Sequence, residues 1–268
     1  MSYCEIELLE KLVDRSSKVQ RITLSHNGLV FNRDTATRFS DLLVKTKITS
    51  LNLSHNKIRS DEFLFILEKL SRLETLDLSY NKMVIWKDQF FVLLNALSRL
   101  KKLNLSGNNI YRLVASSEML PPNLEELSIE FCDLSRINDI TTLIHRNSNL
   151  KSLNIKENGF FVDLDFLDAV IASNLTKLQI SRNSITLKHL KYLASAFYSL
   201  PRSFIVELEV RTEGFLAKYE MNVLLSFIKK IRNHKFNVKL VPYSPREFVE
   251  PLSMGDMFAS FRTLFFQN

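Results

Sequence analysis

Two serine-histidine pairs, Ser25-His26 and Ser54-His55, and two cysteines, Cys4 and Cys132, are the side chains best equipped for nucleophilic or metal chemistry. Transfer through a serine needs a base within hydrogen-bond reach and a turn that lifts the hydroxyl out of the backbone. Neighbours in an extended strand point to opposite sides, and no elbow glycines surround either serine, so neither pair reads as catalytic. No C-x-x-C or H-E-x-x-H supplies metal-ligand spacing, and His26 and His55 have no nearby carboxylate to complete a site. Cys132 has no base beside it in sequence to activate a thiolate. His145, His189 and His234 fall in expected helices or at their ends and read as surface residues. Nucleotide chemistry is served no better. Five glycines in 268 residues, against a usual ~7 %, leave little for phosphate-cradling loops, and neither G-x-x-x-x-G-K-[ST] nor G-x-G-x-x-G occurs. No catalytic residue, cofactor or metal is expected.

What the chain does contain is a repeat. Leu51-Asn-Leu-Ser-His-Asn-Lys-Ile58 returns as Leu76-Asp-Leu-Ser-Tyr-Asn-Lys-Met83 and as Leu103-Asn-Leu-Ser-Gly-Asn-Asn-Ile110. The frame L-x-x-L-x-L-x-x-N-x-L also fits Val19 to Leu29, Leu124 to Leu134, Leu150 to Phe160 and Leu175 to Ile185, with Cys132 at one Asn place. Two degraded copies are expected from Ile205 to Phe215 and around Val238 and Leu240, with Glu213 and Tyr243 at the Asn place. The Asn places recur every 24 to 30 residues, a period that marks a leucine-rich repeat solenoid. Places one, four and six point inward from a short strand, and parallel neighbours close one continuous core. The Asn carboxamide, donor and acceptor at once, serves backbone groups of the turn that follows.

Helical spacing follows most turns. Helices are expected around 34–45, 60–70, 87–98, 163–172, 186–198 and 217–232, with Ser60 as an N-cap and Phe63, Leu67 and Leu70 on one face. Pro121-Pro122 leaves room for little more than a helical turn in 112–122. The fold class is therefore α/β: a horseshoe solenoid with a parallel concave sheet and a mostly helical convex side. Residues 1–16 are expected to cap its first repeat, 17–243 to form about nine units, and 244–268 to be a C-terminal cap or tail. The longer units resemble the ribonuclease-inhibitor type of leucine-rich repeat.

Outward places two, three, five, seven and eight carry nine bases and eight acids, so the +7 net charge of the chain is not gathered on the concave face. Place two alternates Glu74, Lys101, Glu125, Lys151, which pairs neighbouring strands with each other. A nucleic-acid groove needs a stripe of one sign, so no nucleic-acid partner is expected. The basic cluster Lys229, Lys230, Arg232, His234, Lys235 suits a helix C-terminus. Place eight is distinctive: His26, His55, Tyr80, Gly107, Phe131, Glu157, Arg182. Exposed rings anchor protein interfaces. The expected partner-binding residues are His26, His55, Tyr80 and Phe131, with Asp77 and Asn104 as polar contacts and Lys177 and Arg182 steering encounter.

The hydrophobic share of 46 % against 24 % charged is that of a globular chain, which excludes wholesale disorder. The acidic N-terminus has no secretory n- or h-region, and no apolar run approaches a membrane span, so cytoplasmic synthesis is expected; the chain is expected to be a monomer. Frequent Lys, Asn and Phe, and a tail ending Phe265-Phe266-Gln-Asn, resemble the leucine-rich repeat effectors that Legionella-type bacteria inject into host cells. That resemblance implies a C-terminal translocation signal at Phe265 and Phe266 and a host protein as partner. The alternatives are a cytosolic scaffold and a GTPase-activating protein of the repeat type, which would use a rim residue such as Asn32 or Asn109.

Overall fold

The computed structural model describes residues 6, 7, 9, 11, 19–81, 83–85, 88–110, 120–134, 136–185, 187–198, 205–212, 226 and 236–242. Nine strands form one parallel sheet in sequence order: β1 Arg21–Thr23, β2 Ser50–Asn52, β3 Thr75–Asp77, β5 Lys102–Asn104, β7 Glu126–Ser128, β8 Ser152–Asn154, β9 Lys177–Gln179, β10 Ile205–Thr212 and β11 Phe236–Pro242. A second parallel pair, β4 Val84–Ile85 and β6 Asn109–Ile110, joins two of the returning segments. The place-four residues Ile22, Leu51, Leu76, Leu103, Leu127, Leu153 and Leu178 pair in an unbroken row. Place-six residues Leu53, Leu78, Leu105, Ile129, Ile155 and Ile180 are all 1 % exposed or less, so the two inward rows share one core.

The Asn ladder holds the turns. Asn56 donates to the carbonyls of Leu24, Leu53 and Ser54 and accepts from Asn27 N and Leu29 N. Asn81, Asn108, Asn158 and Asn183 repeat that scheme against the unit before each. Cys132 occupies the same place fully buried, with its thiol 3.4 Å from the carbonyls of Leu105 and Glu130. Burial pushes that thiol up to about 12, which removes it from thiolate chemistry.

On the convex side lie α1 Arg33–Lys45, α2 Ser60–Leu67, α3 Asp88–Asn95, α4 Ile137–Arg146, α5 Leu164–Ala172 and α6 Leu187–Tyr198. Helix α1 packs on α2, α2 on α3, α4 on α5 and α5 on α6. A capping box opens α1, where Asn32 Oδ1 accepts from Thr35 N and Thr35 Oγ1 accepts from Asn32 N, and Asp163 caps α5 through Phe166 N. Ile6, Glu7, Leu9 and Lys11 are helical, with Ile6 buried and Leu9 packed on the core.

Four expectations need correction. Ser60 is the first helical residue and not the cap. Arg59 stands in the cap position without a side-chain bond, and the Ser60 hydroxyl reaches across to Val84 O. Helix α4 lies outside the ranges anticipated. Three serines at place seven, Ser54, Ser79 and Ser106, are buried at 3 to 6 % exposure, so they do not line the concave surface. In the eighth unit, Val206 and not Leu208 stands beside Leu178, which moves that frame by two residues. The pairing of Leu208 with Val238 and Val210 with Leu240 agrees with the frame. The expected features at 111–119, 217–225, 227–235 and 244–268, including the basic cluster, Phe265 and Phe266, lie outside the described residues, as does Cys4.

Candidate functional site

The concave floor is polar and internally satisfied. Lys101 pairs with Glu74 at 3.0 Å, Lys151 with Glu125 at 2.8 Å and Lys102 with Glu126 at 2.6 Å, so the alternating charges do join neighbouring strands. The Lys151 ammonium, bonded to Glu125, holds that carboxyl below the usual range. A shallow trough of about 250 Å³ runs over this floor, past Asp77, Asn104, Glu126, Asn154 and Lys177. Asp77 and Asn104 turn to their own neighbours. Asp77 Oδ1 accepts from Ser79 N and Oγ, Asn104 Oδ1 accepts from Ser106 N, and Asn104 Nδ2 donates to Asp77 Oδ2 at 3.3 Å. They brace the strand ends, and that use competes with the polar-contact role expected of them.

The rim, where strand gives way to turn, differs. Every place-eight residue from the first to the seventh unit is left-handed: His26, His55, Tyr80, Phe131, Glu157 and Arg182 at φ 51 to 60°, and Gly107 at 70°. That conformation is held on the backbone. The place-eight N–H donates to the place-seven carbonyl of the next unit, at 3.1 Å for His26, 2.8 Å for His55, 2.7 Å for Tyr80 and 2.9 Å for Phe131. The side chains therefore project in register. His26 stacks on His55 with centroids 4.1 Å apart and planes at 12°, and His55 stacks on Tyr80 at 4.6 Å and 11°.

The Tyr80 ring then lies over Gly107. A Cβ there would stand 2.4 Å from Tyr80 Cδ1, so the missing side chain makes room for the ring. Phe131 follows one unit on, 60 % exposed, while Tyr80 is 41 % exposed. Partial burial raises the Tyr80 hydroxyl above its usual pKa, with Glu130 and Glu157 adding to the shift.

Of the expected site residues, the structure joins His26, His55 and Tyr80 in one stack and sets Phe131 beyond Gly107. Asp77, Asn104 and Lys177 sit apart, along the trough. Arg182 is bound to Glu157 at 3.0 Å, so its charge is paired within the rim. Asn32 spends its carboxamide on the α1 cap, and Asn109 holds its Oδ1 buried with no hydrogen-bond partner among the described residues. Neither presents itself as an extended rim finger. Ser54 is buried while His55 is sandwiched between rings, which leaves the Ser-His pairs without the arrangement acyl transfer needs. His189 is half-buried, and that burial lowers its pKa. Phe161, 82 % exposed, was not foreseen, because place twelve of the repeat follows no hydropathy rule. Among the described residues no cluster of three or more His, Cys, Asp or Glu could hold a metal, and no helix is long and apolar enough to cross a membrane.

Two stretches match family models described as Leucine Rich Repeat, at residues 44–61 and 99–122. These contain the second and fourth units of the frame. A search among curated proteins finds no match. The two matched repeats, the parallel sheet with its inward leucine rows and the Asn ladder together give the fold of a leucine-rich repeat solenoid.

Proposed function

We propose that the chain is a non-enzymatic protein-interaction module that engages a protein partner at the strand-to-turn rim, with His26, His55, Tyr80 and Phe131 as anchors. The observation that carries this reading is the stack of His26, His55 and Tyr80, with the exposed Phe131 one unit beyond Gly107, on a backbone fixed by the ladder. A preformed aromatic surface buries area on binding at little entropic cost. Asp77, Asn104 and Lys177 border the same surface from the trough, and the Arg182–Glu157 pair closes it. Replacing Tyr80 and Phe131 together with Ala should weaken a captured partner by about 2 kcal/mol, roughly thirtyfold, with the fold checked by circular dichroism. Undiminished affinity in that double variant would move the site to the convex helices or the tail.

The helical convex segments support the ribonuclease-inhibitor type. The resemblance to injected Legionella-type effectors supports a host protein as partner and a translocation signal at Phe265 and Phe266, for a chain taken to be a monomer made in a cytoplasm. Deleting residues 252–268 should then abolish delivery of a fused reporter enzyme into host cells while the solenoid still melts cooperatively. Delivery without the tail refutes the signal. Loss of cooperative melting makes the segment a cap.

A further inference from the structure

Exposed apolar surface is concentrated on one edge of this solenoid. Among the described residues seven large hydrophobics are exposed, and five of them, Val30, Tyr80, Val84, Phe131 and Phe161, lie in strand-to-helix connections. Charge is uneven along the same edge. The connections Ile129 to Leu134 and Glu157 to Asp165 hold five acids and no base, in a chain of net charge +7. Two of these acids are engaged locally: Glu157 with Arg182, and Asp163 as the α5 cap. Glu130 accepts only from the neutral carboxamide of Asn154 at 2.8 Å among the bonds described, and Asp133 is exposed. Both flank Phe131 in sequence.

We propose that this rim docks a basic, apolar-bearing segment of a protein partner, with one Lys or Arg side chain seated at the Gly107 step between Tyr80 and Phe131. The proposal rests on the rim reading above and names the partner's chemistry. The Tyr80 ring leans over Gly107, so a long cationic stem would lie past that step, against the exposed parts of the Tyr80 and Phe131 rings. Ring faces attract a cation on either side, and Glu130 supplies the compensating charge. Burial is the main reason the Tyr80 hydroxyl holds its proton to higher pH, and Glu130 and Glu157 add to it, so their negative potential reaches that far. Apolar residues flanking the cation would cover Phe131 and Phe161. An acidic partner, which the net charge of the chain would attract at long range, meets like charge here.

Fluorescence anisotropy with three short labelled peptides tests this on the full chain: Leu alternating with Arg, with Gln or with Glu. The Leu-Arg peptide should bind tightest. Phe131→Ala and the isosteric Glu130→Gln should each weaken it by roughly tenfold, while a Lys45→Ala control in the last turn of the convex helix α1 leaves it unchanged. Preference for the Leu-Glu peptide, or Leu-Arg binding indifferent to both rim variants, overturns the proposal. The rim reading survives that result if a captured partner still requires Tyr80 and Phe131. Sedimentation showing dimers that require Phe131 would instead place a second copy on this edge and overturn the basic-segment assignment.

Discussion

Asn108 offers the sharpest test of how the turns are held. Its carboxamide is 3 % exposed, donates to Leu78 O at 3.0 Å and Leu105 O at 2.8 Å, and accepts from Met83 N at 2.8 Å, with a longer contact to Ser106 O. Asn108→Ala strands those three backbone groups away from water. At about 1 kcal/mol for each bond lost, the change should cost about 3 kcal/mol and lower the melting temperature by roughly 6–12 °C. Asn108→Asp should cost more at neutral pH. A carboxylate cannot donate, and it would face three carbonyl oxygens in a buried site. Burial then raises its folded-state pKa above the unfolded value, so part of the loss should return as pH falls through that raised pKa. Urea melts of both variants at neutral and mildly acid pH provide the measurement. An Asp variant as stable as the parent at neutral pH would show that the carboxamide donors do not hold the turn.

Leu105→Ala, at a site 1 % exposed, should cost about 2–5 kcal/mol through lost burial and a cavity, and an unchanged melt would mean the inward register is wrong. In a Cys4→Ser background, the Cys132 thiol, pushed up to about 12, should resist a maleimide at pH 8 until the chain unfolds, and rapid labelling of folded protein would contradict its burial. Gly107→Ala would set a Cβ 2.4 Å from Tyr80 Cδ1 at a left-handed φ of 70°. It should cost about 1 kcal/mol and shift the Tyr80 ring resonances by NMR, whereas unmoved resonances would mean the ring does not rest on that glycine.

The inward rows and the Asn places are legible because burial is what their residue types report. Place four reads Ile22, Leu51, Leu76, Leu103, Leu127, Leu153, Leu178, and the sheet pairs them in that order. The eighth unit misled because Val206, Leu208 and Val210 alternate evenly, and a two-residue slip keeps every side chain on its face. Periodicity alone has no means of choosing between the two registers. Helix α4 was harder to see. Ile137, Ile140, Leu143 and Ile144 do share a buried face, but β-branched residues at Ile137, Ile140, Thr141, Thr142 and Ile144 depress its propensity, and Arg136 provides no cap. The Ser60 error is one of a single residue at a helix end, where a good capping type stood one place too far along.

The place-eight column shows why a site can be visible as a list and obscure as a geometry. Its residue types signal no common conformation, since His and Gly tolerate a left-handed φ while Tyr, Phe, Glu and Arg gain nothing from it. Each non-glycine there bears a cost of about 1 kcal/mol, which the local sequence does not relieve. The relief comes from the neighbouring unit, whose place-seven carbonyl takes the place-eight N–H while its Asn carboxamide fixes the turn. Because those bonds are made by backbone and by place nine, the side chain at place eight does nothing for the turn and is free to vary with what the rim must touch. Stacked imidazoles at one end, a phenol laid over a glycine in the middle and a bare phenyl beside carboxylates beyond it are therefore compatible with one and the same backbone. Recognition can differ from unit to unit along this edge without disturbing the leucine core beneath it.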